Sequence, residues 1–159
     1  MNAIPISIEI YLDANFLVAY LLSSHADSQK AQKLFAKLLI SKNKLVFSAL
    51  GVDETMQVIK KTLQSQESTD NLKKGKNYKD YISDIRQAVN ILINDPTFRV
   101  TQFKDPVSGC SHAVDNIDNY ILRPRDAFHL SYMQDQEIEY IVTNDRKFDG
   151  VKTIKRVSF

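Results

Sequence analysis

Cysteine is nearly absent from this sequence, and its scarcity excludes two kinds of site. The single thiol, Cys110, forms no internal disulfide and no cysteine-built zinc site, so it is interpreted as inert. The 3 histidines offer no pair at the spacing of zinc ligands either. A metal site in this chain is therefore expected to be built from carboxylates rather than thiols.

Long apolar runs are missing as well. No run approaches the roughly 18 residues of a membrane span, and the amino terminus has no basic segment leading into an apolar one. The sequence therefore predicts a protein of the cytoplasm without a membrane partner.

A large excess of one charge is also lacking, since 21 basic and 19 acidic residues leave a net charge of +2. This balance permits a nucleic-acid partner without requiring one. The chain has 159 residues, of which 43% are hydrophobic and 25% charged, and it contains no internal repeat. Such a length and composition fit a single globular domain over 1–159.

Strand-like and helix-like segments alternate along the chain. The helical stretches are interrupted by a polar, lysine-rich segment at 64–77, which is predicted to be an exposed loop or a frayed helical extension, and 104–122 allows a short helix. The alternation predicts an α/β fold of three layers, in which helices cover both faces of a parallel sheet of about four to five strands. Predicted strands are 7–12, 45–47, 98–103, 139–143 and 153–157, and predicted helices are 15–22, 28–43, 48–63, 81–93 and 124–133.

Acidic residues occur near several of the points where a predicted strand passes into a helix. Asp13 follows the first strand, and Glu54 lies about two turns into the helix after the second. Asp126 begins a late helix, while Asp145 and then Asp149 follow the strand that ends at 143. Because the carboxyl ends of parallel strands meet at one edge of a sheet, we expect these acids to gather there.

Divalent-metal catalysis is the chemistry that such a cluster favours. Packed carboxylates repel one another and raise each other's pKa unless a cation lies among them. Mg²⁺ and Mn²⁺ prefer oxygen ligands and retain several waters, so a few acids and water suffice to hold either ion. A bound ion of this kind activates water for attack on a phosphodiester.

Each of these acids also has a purely structural interpretation. Asp13 and Asp126 could cap the helices that follow them. Asp53 competes with Glu54, but adjacent helical positions point about 100° apart, so one of the two faces the cluster, and we choose Glu54. His129, three residues after Asp126, is interpreted as a buried structural histidine rather than a ligand.

Four segments together resemble, in order and spacing, the acidic motifs of PIN-domain nucleases. The compact layout is most similar to the VapC-type toxins of prokaryotic toxin–antitoxin pairs, and the resemblance spans roughly residues 8–157. It implies a PIN-like fold, a metal-dependent endoribonuclease that uses Mg²⁺ or Mn²⁺, an RNA substrate, a small antitoxin partner and a homodimer. The segments are Leu12-Asp13-Ala14-Asn15, Asp53-Glu54, Arg125-Asp126-Ala127-Phe128-His129-Leu130 and Thr143-Asn144-Asp145-Arg146-Lys147-Phe148-Asp149.

The resemblance also implies roles for individual residues. Asp13, Glu54, Asp126 and Asp145 form the catalytic metal site, with Asn15, Thr143 and Asp149 as auxiliary residues. Basic side chains beside the acids, from Arg125, Arg146 and Lys147, are expected to contact nucleic acid, and lysines of the 64–79 segment are a further candidate.

Two departures from the family pattern leave other functions open. The 64–79 segment is longer and more basic than in the smallest toxins, and the stretch 104–122 carries Asp115 and Asp118, which the family pattern does not place. The alternatives are a catalytically silent nucleic-acid-binding or scaffold module, and a nuclease of RNA processing rather than a toxin. A phosphatase or response-regulator-like protein fits less well, because no lysine follows a late strand in the required place.

Overall fold

A five-stranded, all-parallel sheet forms the centre of the computed structural model, which describes residues 4–66 and 77–159. The strands lie in the order β3-β2-β1-β4-β5, and this confirms the predicted α/β fold with a parallel sheet. Their bounds are β1 Glu9–Leu12, β2 Lys44–Ser48, β3 Phe98–Thr101, β4 Tyr140–Val142 and β5 Lys155–Val157.

Helices cover both faces of the sheet, as the alternation of elements predicted. Two short 3₁₀ turns, Tyr78–Tyr81 and Arg146–Gly150, accompany them. The α-helices of the described residues are α1 Ala14–Leu21, α2 Ser28–Ile40, α3 Ala49–Ser65, α4 Ile82–Asn94, α5 Pro106–Tyr120 and α6 Pro124–Asp135. No helix among them is both long and apolar enough to cross a membrane.

The alternation of side chains along β1 divides the core into two layers. Ile10 and Leu12 point to one face, where they pack with residues of α1 and α2. Tyr11 points to the other face and packs with Val46, Ile141 and residues of α6. Ile10, Tyr11 and Leu12 are fully buried, and each contributes on the order of 2 kcal/mol of hydrophobic stabilisation.

The strand order creates a switch point at β1. β2 pairs with one edge of β1 and β4 with the other. The connection after β1 therefore runs to one side of the sheet, toward β2, and the connection after β4 runs to the other side, toward β5. In open parallel sheets, the crevice at such a point, outside the carboxyl ends of the strands, is the usual ligand site. Asp13 and Thr143 directly follow β1 and β4 and therefore stand at this crevice.

Helix α5 is longer than the short helix that the sequence allowed in 104–122. Asp105 caps it by accepting hydrogen bonds from the N–H groups of Val107 and Ser108, and a proline occupies its first turn. Its buried positions are Gly109, Ala113 and Asn116, which carry too little apolar surface to produce a clear helical pattern. Asp115 and Asp118, unplaced by sequence, lie at exposed positions of this helix.

Close packing between Phe103 and α5 requires glycine at position 109. A Cβ atom there would lie 2.4 Å from the Phe103 ring. We expect Gly109→Ala to lower the free energy of unfolding by about 1–3 kcal/mol, because overpacking forces side chains and backbone to shift. The matched control is Gly51→Ala in α3, where the nearest atoms are 3.9 Å away, so alanine should be neutral or stabilising. Urea unfolding of the two variants tests this, and equal stabilities would contradict it.

The predicted loop or helical extension at 64–77 falls mostly on residues 67–76, which lie outside the described residues. Three of the lysines considered for nucleic-acid contact, at positions 73, 74 and 76, lie there too. Lys79 of the same segment is described and is exposed.

Candidate metal centre

The side chain of Asp13 is mostly buried, and hydrogen bonds hold it in place. It occupies the N-cap position of α1, yet its side chain makes no capping hydrogen bond. Its Oδ2 instead accepts from Asn15 Nδ2 at 2.7 Å and from Thr143 Oγ1 at 2.6 Å. Burial raises the pKa of Asp13 above its usual range, although His129 and the Thr143 hydrogen bond act in the opposite direction. The carboxylate is thus ionised at a cost that a nearby cation would offset.

Glu54 and His129 face Asp13 from the helices α3 and α6. The Glu54 Oε2 and His129 Nε2 atoms are 2.6 Å apart, and the same nitrogen lies 4.0 Å from Asp13 Oδ1. One ligand atom from each of these three residues lies within 4.8 Å of the others, which is close enough for a single metal ion. We call Asp13, Glu54 and His129 the acid–imidazole cluster. Asp53 points elsewhere, since its side chain is 51% exposed against 15% for Glu54.

A buried chain of hydrogen bonds fixes the orientation of His129. The Gly51 N–H donates to Ser48 Oγ, which lies 2.6 Å from the Tyr11 hydroxyl, and this hydroxyl lies 2.8 Å from His129 Nδ1. Burial raises the pKa of Tyr11 well above its usual range, so the phenol remains protonated. If each hydroxyl in this series of hydrogen bonds donates to the next residue, Ser48 donates to Tyr11 and Tyr11 donates to Nδ1 of His129. The proton of His129 is then on Nε2, which donates to Glu54.

Loss of the Tyr11 hydroxyl should destabilise the protein. Tyr11→Phe leaves the buried His129 Nδ1 and Ser48 Oγ without this partner, and we expect a loss of about 1–3 kcal/mol in the free energy of unfolding. Tyr20→Phe is the matched control, because it removes the same atom from a ring packed between Phe35 and Phe98. Guanidinium unfolding should show a change below about 0.5 kcal/mol for the control. A comparable loss in both variants would contradict the orienting role of the hydroxyl.

Asp126 and Asp145 form a second acidic pair, which a lysine bridges. Lys147 Nζ lies 3.1 Å from Asp126 Oδ2 and 3.2 Å from Asp145 Oδ2. The hydrogen bonds to Asp126 and Asp145 raise the pKa of Lys147, so it carries its positive charge. This pair adjoins the first cluster, because Thr143 Oγ1 accepts from the Asp145 N–H at 3.0 Å while it donates to Asp13.

The other predicted site residues have different surroundings. Asp149 forms a two-pronged ion pair with Arg156, whose hydrogen bonds lower the pKa of Asp149. Arg125 lies 3.5 Å from Glu54 Oε1 and 3.9 Å from Asp53, at the rim of the cluster. Arg146 is exposed.

The donor set fits a divalent cation. Asp13 and Glu54 place two carboxylates beside the His129 imidazole. Asp126 and Asp145 hold the ammonium group of Lys147 between them, so that position already takes a positive charge. The Asn15 Oδ1 atom, on the side chain that binds Asp13, is buried and has no hydrogen-bond partner among the described residues. An unpaired buried oxygen beside clustered carboxylates is expected where an ion or its water is bound.

Sequence reasoning did not predict the part that Tyr11 and His129 play in this centre. His129 is buried and hydrogen-bonded, as a structural histidine should be, but its Nε2 also faces two carboxylates. Its place one helical turn after Asp126 was the available signal. Tyr11 was interpreted as a core residue, and it is one, although its hydroxyl reaches the histidine.

Comparisons with known proteins agree with this architecture. The PIN domain model matches residues 10–154. The Mycobacterium tuberculosis toxin VapC20, which cleaves the sarcin–ricin loop, superposes with a TM-score of 0.63 at 16% identity, over 90% of this chain and 95% of its own. A toxin–antitoxin complex from Klebsiella pneumoniae gives a TM-score of 0.60 at 18% identity, covering 92% of this chain and 95% of that one.

A third similar structure is Rickettsia felis VapBC2 bound to a DNA fragment from its promoter. Its TM-score is 0.58 at 14% identity, over 95% of this chain and 98% of that chain. No curated protein matches the sequence significantly. At these identities the superpositions establish a shared fold.

Proposed function

The chain belongs to the PIN-domain family, and we propose that it is a metal-dependent endoribonuclease that hydrolyses RNA phosphodiester bonds. The observation that carries the proposal is the position of the acid–imidazole cluster next to the Asp126–Asp145 pair at the switch point of the sheet, where Thr143 Oγ1 links Asp13 to the N–H of Asp145. Asp13, Glu54, Asp126 and Asp145 would hold Mg²⁺ or Mn²⁺. Such an ion supplies an activated water and offsets charge on the leaving oxygen.

The surrounding side chains keep the carboxylates ready for this role. Asn15 and Thr143 fix one oxygen of Asp13 and leave the other directed toward His129. The Oε2 atom of Glu54 lies 2.6 Å from His129 Nε2, within hydrogen-bond distance, so both carboxylates are oriented before any ligand arrives. This preorganisation avoids a reorganisation cost during the reaction.

Basic side chains at the rim are proposed to contact the RNA phosphates. Arg125 lies beside Glu54, and Lys147 bridges the second acidic pair, so both present positive charge where a polyanion would otherwise meet carboxylates. Arg146 is exposed next to them. Lys147 would exchange its carboxylate contacts for the phosphate when a divalent ion occupies the pair.

Incubation of the purified protein with mixed single-stranded RNA tests the proposal. Cleavage should occur with Mn²⁺ or Mg²⁺, stop with a chelator, and be lost in the Asp13→Asn variant. Cleavage that persists in chelator, or equal cleavage by the variant, would contradict the mechanism. RNA binding without cleavage of any RNA offered would favour the catalytically silent binding module.

The proposal extends to a toxin role with two protein partners. The likeness to toxin–antitoxin structures supports a small antitoxin that covers the acidic edge. It would be encoded by a short neighbouring gene, and its product should co-purify with this chain and block cleavage.

A homodimer is supported by a row of exposed apolar residues along and just beyond α5, namely Val107, Val114, Ile117 and Ile121. Sedimentation equilibrium of Val114→Glu should then show a weakened dimer.

A further inference from the structure

A groove lined by basic residues lies between α2 and β5, the outermost strand on one side of the sheet. Its volume is about 720 Å³. Lys30, Lys33 and Lys37 line it from α2, and Lys155 and Arg156 line it from β5. Its apolar lining includes Leu34, Ile154, Val157 and Phe159. We call this feature the α2–β5 groove.

Cationic side chains outnumber carboxylate side chains along the α2–β5 groove. Its five cationic side chains are accompanied by one lining carboxylate side chain, that of Asp149. Three of the cations are neutralised by neighbours, since Lys30 pairs with Asp27, Lys155 with Glu139 and Arg156 with Asp149.

Two lysines of the groove keep an uncompensated charge. Lys33 and Lys37 are exposed and form no ion pair with any residue of 4–66 or 77–159. They lie four residues apart, so they project from the same side of α2. An anionic occupant is therefore the one whose charge complements the groove.

One end of the groove adjoins the acidic edge, by which we mean the edge at the carboxyl ends of the strands where Asp13 and Asp145 lie. Arg156 Nη1 donates to the carbonyl oxygen of Thr143 at 3.4 Å, and Thr143 is the residue that holds Asp13. The N–H of Phe159 donates to Asn144, the residue before Asp145. One end of the groove thus lies beside the second acidic pair.

Helix α2 carries the groove away from that edge. Its far end lies beside the start of β1, because the Ser7 N–H donates to the Ser41 carbonyl and Asn43 donates to Pro5. Lys30 is therefore nearest to the acidic edge and Lys37 farthest from it. The row from Lys30 to Lys37 spans about 10 Å at the rise of an α-helix, which matches about three nucleotide steps of a stacked strand.

We propose that the α2–β5 groove binds the single-stranded RNA segment that flanks the scissile phosphate, with Lys33 and Lys37 contacting its phosphates. This inference rests on the proposed nuclease function. The alternative occupant, an acidic protein segment, would match the charge equally well, but the position of one end of the groove beside Thr143 and Asn144 favours the strand that is cleaved at the acidic edge. The apolar floor and Phe159 offer contacts to the bases.

Fluorescence anisotropy with a labelled oligouridylate of about 16 nucleotides tests the groove in chelator, where no cleavage is required. The Lys33→Gln/Lys37→Gln variant is compared with a Lys42→Gln/Lys44→Gln control. The control removes the same charge from exposed lysines outside the groove. Affinity is measured from about 50 to about 200 mM salt, and circular dichroism verifies that all proteins are folded.

The groove variant should bind more weakly at low salt, and the slope of log affinity against log salt should fall by about 0.7 per lysine. The control should keep the slope of the unmodified protein. An unchanged slope in the groove variant, or an equal fall in the control, would overturn the proposal. So would a labelled peptide of glutamate and leucine that binds more tightly than the RNA and depends on the same two lysines. Absence of cleavage in the metal assay would leave this binding result interpretable.

Discussion

Glu54→Gln should reduce metal-dependent RNA cleavage by at least about 100-fold, whereas Asp53→Asn should change it by less than about threefold. The two substitutions remove one negative charge each from neighbouring positions of α3. Glu54 is 15% exposed and lies 2.6 Å from His129, within the acid–imidazole cluster. Asp53 is half exposed and contacts Gln57 and Arg125 at the rim.

This pair of variants distinguishes a role of Glu54 as a metal ligand from a general effect of negative charge at this edge of the sheet. If the cluster acted only by making the edge acidic, both substitutions would have similar effects, because both side chains lie near Arg125. Steady-state cleavage of one labelled RNA at fixed Mn²⁺ gives the comparison. Equal losses would contradict the assignment of Glu54 to the metal site, and so would full activity of Glu54→Gln.

Asp13→Asn should stabilise the metal-free protein at neutral pH while it removes stabilisation by metal. Burial raises the folded-state pKa of Asp13 above its ordinary value of 3.8. Protonation of Asp13 therefore favours the folded state. This contribution to the free energy of unfolding is fully present below that value and is lost as the pH rises through the folded-state pKa. At pH 7 the ionised Asp13 costs stability, and asparagine avoids this cost. We expect a gain on the order of 1 kcal/mol.

The pH and metal dependence of this gain provide its control. The advantage of the variant should shrink as the pH falls through the folded-state pKa and vanish below the ordinary value of 3.8, where Asp13 of the unmodified protein is protonated in both the folded and the unfolded state. Mn²⁺ should raise the unfolding temperature of the unmodified protein and leave that of Asp13→Asn nearly unchanged. Thermal unfolding by circular dichroism measures both effects. A variant that is less stable at pH 7 without metal, or that gains as much from Mn²⁺, would contradict the account.

The sequence was sufficient to predict the sheet and the edge at which the acids meet. Asp13 and Asp145 come after buried strands, and parallel strands bring the residues at their carboxyl ends to one edge, so the proximity of these acids required no knowledge of side-chain packing. Helical geometry showed that only one of Asp53 and Glu54 faces the cluster, and the apolar residues Met56 and Val58 together with the family pattern favoured Glu54. The structure directs Glu54 toward Asp13 and His129.

Features that depend on packing between distant segments could not be predicted from the sequence. The hydrogen bond between Tyr11 and His129 joins residues 118 positions apart, and both residues read equally well as ordinary core side chains. The α2–β5 groove combines lysines of α2 with the last strand, and no local pattern links them. Helix α5 was underestimated because glycine, alanine and asparagine occupy its buried face.

The central claim is that Asp13 and its neighbours form a divalent-metal site, and Mn²⁺ binding measured by electron paramagnetic resonance tests it most directly. The unmodified protein should bind Mn²⁺ saturably, and Asp13→Asn should bind it at least about tenfold more weakly. Asp53→Asn, which changes a neighbouring charge outside the cluster, should bind it as the unmodified protein does. Equal Mn²⁺ affinity in the Asp13→Asn variant and the unmodified protein, or no saturable binding to the latter, would contradict the account.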